Sequence, residues 1–184
     1  MTHSLKITLG ATLLLAAMAL VRPAPLPAQM DSGPETAGTT PIALVEEAYL
    51  AHRRGNYAEA IKGYTSIIQR RGLTRRERAI SYLLRGEAKR DAKELDEAIV
   101  DFTRALRQWP GYPQAHFFRG RVYEDQGKLM EAYADIYKAA QLEPGREAYD
   151  TTLALLRRRM AEEGLTPPAD DTPLEPVSPE ITGE

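Results

Sequence analysis

Cysteine is absent from all 184 residues, which excludes disulfides, thiol catalysis, cysteine-ligated metal and lipid attachment through an N-terminal cysteine. Stability must therefore come from packing. Histidine is nearly absent. Beyond His3 there are only His52 and His116, in no metal-ligand spacing such as H-x3-H or H-E-x-x-H, and each reads as a helix-surface residue. A glycine-rich phosphate loop, a G-x-S-x-G motif and a Ser/His/Asp constellation are missing as well. Glu124 and Asp125 are adjacent, but neighbours on a helix point about 100° apart and do not make a catalytic carboxylate pair. No catalytic residue, cofactor or metal is expected, and the chain reads as no enzyme. Charge of one sign is also lacking. The formal net charge is −2, without the basic excess that nucleic acid or an anionic membrane as partner normally requires.

Long hydrophobic runs are confined to one place. Lys6 is followed by Ile7 to Val21, an uncharged run that as a helix covers about 22 Å of a hydrocarbon core about 30 Å thick. Residues 1–28 therefore read as an export signal, with cleavage after Ala28 favoured by the helix-breaking Pro23, Pro25 and Pro27. The alternative is an uncleaved inner-membrane anchor, the one case in which a membrane is a partner. Either way the chain is expected to be exported, to the periplasm. Residues 29–40 are rich in Gly, Pro and Thr and read as a flexible lead. Residues 164–184 hold five prolines and five carboxylates with no Lys or Arg, and are expected to be a disordered acidic tail.

What is present is a repeat. Gly86 and Gly120 stand 34 residues apart, and the same interval carries Ala98 onto Ala132, Phe102 onto Ile136, Ala105 onto Ala139, Pro110 onto Pro144 and Gly111 onto Gly145. A fixed period with small residues at matching places points to stacked helix pairs, which present binding surfaces. Each unit reads as two helices. Leu95, Ala98, Ile99, Phe102, Ala105 and Leu106 are spaced by three and four, and Pro110 and Gly111 stop that helix. An earlier copy is visible in Ala60, Ile61, Tyr64, Ile67 and Ile68, preceded by Leu44, Val45, Ala48 and Ala51.

On these residues, residues 41–146 resemble the tetratricopeptide repeat family, with its W-x2-L-G-x2-Y, A-x3-F and P pattern. The resemblance implies an all-α fold, a right-handed superhelical stack of three helix hairpins at about 41–74, 79–112 and 113–146. A capping helix over 147–163 follows, with Tyr149, Leu153, Leu156 and Met160 on one face. It also implies that the small residues Ala48, Gly86 and Gly120 of the first helices meet Ala60, Ala98 and Ala132 of the second. The larger Tyr64, Phe102 and Ile136 should pack between units, and Ile67, where the family has a small residue, suggests a looser first junction.

Two departures from the pattern stand out. Arg85 and Arg119 replace the Leu before the glycine, and sixteen residues later stand Asp101 and Asp135, so a charged pair across each of these two hairpins is expected. Between units one and two the spacing is 38, and the extra residues lie among Arg70, Arg71, Arg75, Arg76 and Arg78. That run reads as a solvated loop and helix start rather than a docking point, since no aromatic residue interleaves it.

The resemblance makes the first helices a concave wall. Partner contacts are expected from Tyr49, His52, Arg53, Leu83, Glu87, Arg90, Phe117, Arg121 and Glu124. Family members that grip a C-terminal carboxylate use Lys, Asn and Arg at wall positions where this chain has Val45, Tyr49, Leu84 and Phe118, so a chaperone-tail clamp is not implied. The functional expectation is a non-catalytic adaptor of the bacterial envelope that binds a peptide or protein segment. The alternatives are a self-associating structural subunit, a homo-oligomer, or an accessory to an envelope hydrolase.

Overall fold

The computed structural model describes residues 41–167; the expected export signal, the expected lead and most of the acidic tail lie outside the described residues. Seven helices follow one another: α1 Pro41–Arg53, α2 Tyr57–Ile68, α3 Arg75–Asp91, α4 Leu95–Gln108, α5 Pro113–Asp125, α6 Leu129–Leu142 and α7 Glu147–Glu162. No strand occurs among the described residues, and none of their helices is long and apolar enough to cross a membrane. Each helix packs on its neighbour in sequence, and α3 also touches α5. The turn within each hairpin carries one residue in the left-handed region, Gly55 at φ 80°, Lys93 at 68° and Gly127 at 74°.

The four extra residues before the second unit become one additional helical turn, because an α-helix completes a turn in 3.6 residues. Thus α3 has 17 residues where α1 and α5 have 13, and it starts at Arg75 rather than at Ala79. A capping box begins it. The Thr74 hydroxyl accepts from the Glu77 backbone N–H at 3.2 Å, and the Glu77 carboxylate accepts from the Thr74 backbone N–H at 2.8 Å. These bonds hold the Glu77 carboxyl below its ordinary value. The T-x-x-E spelling is legible in the sequence and explains part of the Arg-rich run as a helix start.

The small residues make close approaches, to the expected partner at Gly120 and to others elsewhere. A Cβ at Gly86 would stand 2.7 Å from the Phe102 ring, and one at Gly120 would stand 2.7 Å from Ile136 Cγ1 and 3.0 Å from the Ala132 carbonyl oxygen. Gly86 therefore receives the large residue of its own hairpin, while Gly120 meets the expected Ala132 at its carbonyl oxygen. In the first hairpin the close crossing is Ala48 against Gly63, 2.7 Å from a Cβ built there. Phe102 also stacks on Phe118 of the next unit, with centroids 6.1 Å apart, so it serves both packings. Pro110 and Pro144 are exposed in the loops after α4 and α6.

The buried side chains form two clusters. One runs through α3 to α7, with Phe102, Val122, Tyr133, Ile136, Leu156 and Met160 at its centre. The other belongs to the first hairpin and holds Ala48, Ala51, Ala60, Tyr64 and Ile67 with Ala88 of α3. Helix α7 buries Tyr149, Leu153, Leu156 and Met160 and leaves Leu155 exposed.

Candidate functional site

The wall helices are α1, α3 and α5, and a groove opens over the cluster of the first hairpin. Val45 and Tyr49 of α1, Tyr64 and Ile67 of α2, and Ile80 and Leu84 of α3 border this groove of about 500 Å³, with Glu46, Leu73, Glu77 and Ser81 completing its lining. That volume falls in the range of ligand clefts, about 300–1,000 Å³. Its rim is apolar and open: Tyr49 is 47% and Ile80 38% exposed. Beneath it Tyr64 is fully buried and its hydroxyl has no hydrogen-bond partner. Burial first, then the charge of Glu87 and the neighbouring Tyr49, push the Tyr64 hydroxyl up to about 12.

Beside the groove, α1 and α3 are joined by charge. His52 Nε2 lies 2.9 Å from Asp91 Oδ2, and Arg90 donates to Asp91 Oδ1 at 3.2 Å while its guanidinium covers the Phe118 ring at 5.7 Å. Burial opposes the charge of Asp91, but the His52 hydrogen bond and Arg90 outweigh it and hold its carboxyl below the ordinary value. Glu87 is half-buried next to this group. Burial pushes its carboxyl up, His52 and Arg90 pull it down, and Asp91 adds to the rise, for a net increase.

A group whose folded value is raised costs stability when ionised, and the cost is relieved as pH falls through that value. Glu87→Gln is therefore expected to stabilise the fold near pH 7 and to lose that advantage near about pH 4, read by denaturation midpoints at both pH values. Equal midpoints for the two proteins at neutral pH would contradict the assignment.

Arg85 and Arg119 each tie three helices. Arg85 donates to Asp101 through Nε at 2.8 Å and Nη2 at 2.6 Å, and to the Thr65 hydroxyl of the preceding hairpin at 3.0 Å. Arg119 repeats this with Asp135 at 2.7 and 2.9 Å and with Thr103 at 3.0 Å. The second shared contact differs: Lys89 Nζ reaches Asp101 at 2.8 Å, whereas His116 Nδ1 lies 2.9 Å from Asp135, with its Nε2 3.2 Å from the Pro110 carbonyl. Burial opposes the charge of Arg119, but hydrogen bonds to Asp135 and its field outweigh burial and raise the guanidinium above its ordinary value. The pairing read from the sequence is present. The threonine that locks each Arg to the unit before it escapes the 34-residue pattern, since Thr65 and Thr103 stand at the 38-residue interval that separates units one and two.

A tetratricopeptide repeat model matches the chain twice, over residues 45–111 and 83–150. The chain belongs to the tetratricopeptide repeat family. Among curated proteins, sperm-associated antigen 1 of Mus musculus is 33% identical over 67% of this chain, and DnaJ homolog subfamily C member 7 of Homo sapiens is 30% identical over 55%. The chain spans only 14% and 21% of the lengths of those relatives. Among solved structures, the second repeat domain of human RPAP3 with the HSP70 peptide SGPTIEEVD matches with TM-score 0.54 and 27% identity, over 64% of this chain and 98% of that one. The first repeat domain of Spaghetti (RPAP3), bound to the HSP90 peptide SRMEEVD, has the same fold at TM-score 0.60 and 24% identity, over 66% of this chain and 93% of that one.

In this tetratricopeptide repeat protein the nine expected wall residues divide. Tyr49 borders the groove, and His52, Glu87 and Arg90 gather beside it, with Arg53 exposed at the end of α1. Two expectations are corrected. Leu83 is 6% exposed and packs in the larger core, because its position on α3 turns towards α4 rather than the wall. Phe117 is half-buried against Tyr149 of α7 at 4.8 Å and Phe118 at 5.6 Å, so the capping helix takes the surface a partner would need. Arg121 and Glu124 face each other at 3.3 Å on α5, on the wall helix beyond α3. The histidines are corrected too: neither is a plain surface residue, since each side chain is about 15% exposed and bridges to a carboxylate on another helix. Ile80 and Leu84, the groove residues of α3, lie one helical turn apart and belong with the contact residues.

Proposed function

We propose that this chain is a non-catalytic interaction module that holds an extended peptide or protein segment on its concave first-helix wall, exported to the periplasm through residues 1–28. The observation that carries the reading is the apolar groove of about 500 Å³ between α1 and α3. An exposed apolar trough with a few polar groups beside it suits an extended segment gripped by one or two apolar anchors. The related RPAP3 domain was solved with a peptide, which supports a peptide as ligand. The chemistry at the wall differs from a carboxylate clamp, because Val45, Tyr49 and Leu84 surround the groove with apolar surface.

The experiment is binding of a fluorescent peptide selected from a random library on the full chain. Ile80→Glu places a charge on the rim without touching either core. It is expected to weaken the selected peptide by about ten-fold or more, since burying one large aliphatic side chain is worth about 1.5–3 kcal/mol. Unchanged affinity in Ile80→Glu removes the groove from the binding surface. The mass of the secreted protein used in that experiment checks export, with Gln29 as the first residue.

A further inference from the structure

The groove is lined mostly by apolar side chains, with Glu46, Glu77 and Ser81 among them, and the chain on either side of its Leu73 is rich in arginine. Leu73 and Glu77, which line it, belong to the loop and first turn that carry five arginines. Two of these are occupied: Arg76 lies over the Trp109 ring at 4.4 Å, and Arg78 donates to the Ile68 carbonyl at 3.0 Å. Arg70, Arg71 and Arg75 are exposed, and their guanidinium groups make no hydrogen bond or ion pair among the described residues. Three cations with no ion pair among the described residues thus stand within three residues of Leu73 in sequence, beside a lining whose own charges are Glu46 and Glu77.

Complementary chemistry exists in the chain itself. Residues 168–184 carry five carboxylates and no Lys or Arg, with Leu174, Val177 and Ile181 as apolar residues, and Ile181 stands between Glu180 and Glu184. Residues 31–40, on the other side of the repeats, have two carboxylates and no aliphatic side chain larger than Ala37. The reach is sufficient. From α7 to α3 the wall takes two helix steps of about 8–10 Å each, and crossing the length of a helix adds about 20–25 Å, a path of about 36–45 Å. The fourteen residue-to-residue steps from Pro167 to Ile181 extend to about 46 Å.

We propose that the groove between α1 and α3 is the docking site of the chain's own C-terminal segment, with Ile181 in the apolar trough and Glu180 and Glu184 against Arg70, Arg71 and Arg75. This rests on the wall as a peptide-binding surface and makes that surface self-occupied, so that an external partner must displace the tail. A short tether supplies an effective concentration of about 1 mM, so a contact with a Kd of about 0.1 mM fills most grooves and weakens a competing peptide about ten-fold.

The absence of cysteine makes one introduced label unambiguous. The full chain carrying Thr182→Cys with a nitroxide is read by NMR at the amides of residues 45–49 and 80–84. Those signals are expected to lose intensity, to stay weakened when labelled chain is diluted into unlabelled chain, and to recover in Ile181→Ser, in Ile80→Glu and in the triple Arg70→Glu, Arg71→Glu, Arg75→Glu variant. Full intensity in the labelled parent overturns the proposal. So does recovery on dilution, which puts the tail on a second copy, and so does weakening that persists in Ile80→Glu. The two readings fail separately: if the tail does not dock but a selected peptide still depends on Ile80, the self-docking falls and the wall stands. A docked tail, with no selected peptide bound even when the tail is released by Ile181→Ser, supports the self-docking and removes the wall as a site for other partners.

Discussion

Asp135→Ala is expected to lower the unfolding free energy by about 3–5 kcal/mol, the cost of leaving a buried charge without its partner. Asp135 is 4% exposed and accepts two hydrogen bonds from Arg119, itself 5% exposed, with His116 beside it. Its loss leaves the guanidinium with the Thr103 hydroxyl alone. An exposed pair at the same positions would be worth about 0–1 kcal/mol, so the two cases are well separated. Chemical denaturation of the parent, Arg119→Leu, Asp135→Leu and the double variant closes the cycle. The double variant should be less damaged than the sum of the singles, because apolar residues of similar volume replace the pair without stranding a charge. A loss under about 1 kcal/mol in Asp135→Ala, or coupling near zero in the cycle, would show that the pair is only a solvated contact.

Gly120→Leu should destabilise by about 3 kcal/mol or more, by overpacking rather than by lost contacts. A Cβ at this position already comes within 2.7 Å of Ile136 Cγ1, 3.0 Å of the Ala132 carbonyl oxygen and 3.1 Å of Asp135 Cβ. The carbonyl belongs to the backbone of α6 and cannot swing aside, so the two helices of the hairpin must separate. Separation also stretches the Arg119 to Asp135 bonds that span the same crossing. Helix propensity works the other way, since glycine within a helix costs about 1 kcal/mol relative to alanine. The steric term is larger for leucine. A thermal or denaturant midpoint within experimental error of the parent would mean that the hairpin crosses at a distance with room to spare.

The parts of the structure that could be read beforehand are those written into the chain locally. The 3.6-residue periodicity with stops at Pro110 and Pro144 marks the helices, and the 34-residue interval marks the units. Arg85 with Asp101 and Arg119 with Asp135 were legible because each replaces an apolar residue at the same point of two units. The candidate site was legible only in outline. Leu83 and Glu87 sit one turn apart on α3, yet one is in the core and the other half-exposed. Phe117 fits the wall by register, but α7 comes to lie against it through Tyr149.

The sequence by itself determined the helices, the repeat and the family, because periodicity, proline and glycine act within a few residues. It also determined the small positions, since only glycine or alanine leaves two helices room to cross closely. Tertiary structure alone decided the groove. Val45, Tyr49, Tyr64, Ile67, Ile80 and Leu84 reach it from three different helices, and only packing brings them together. The Thr65 and Thr103 latches arose the same way. Which side chains meet across neighbouring hairpins depends on distances set by every other contact, and no local pattern encodes that sum.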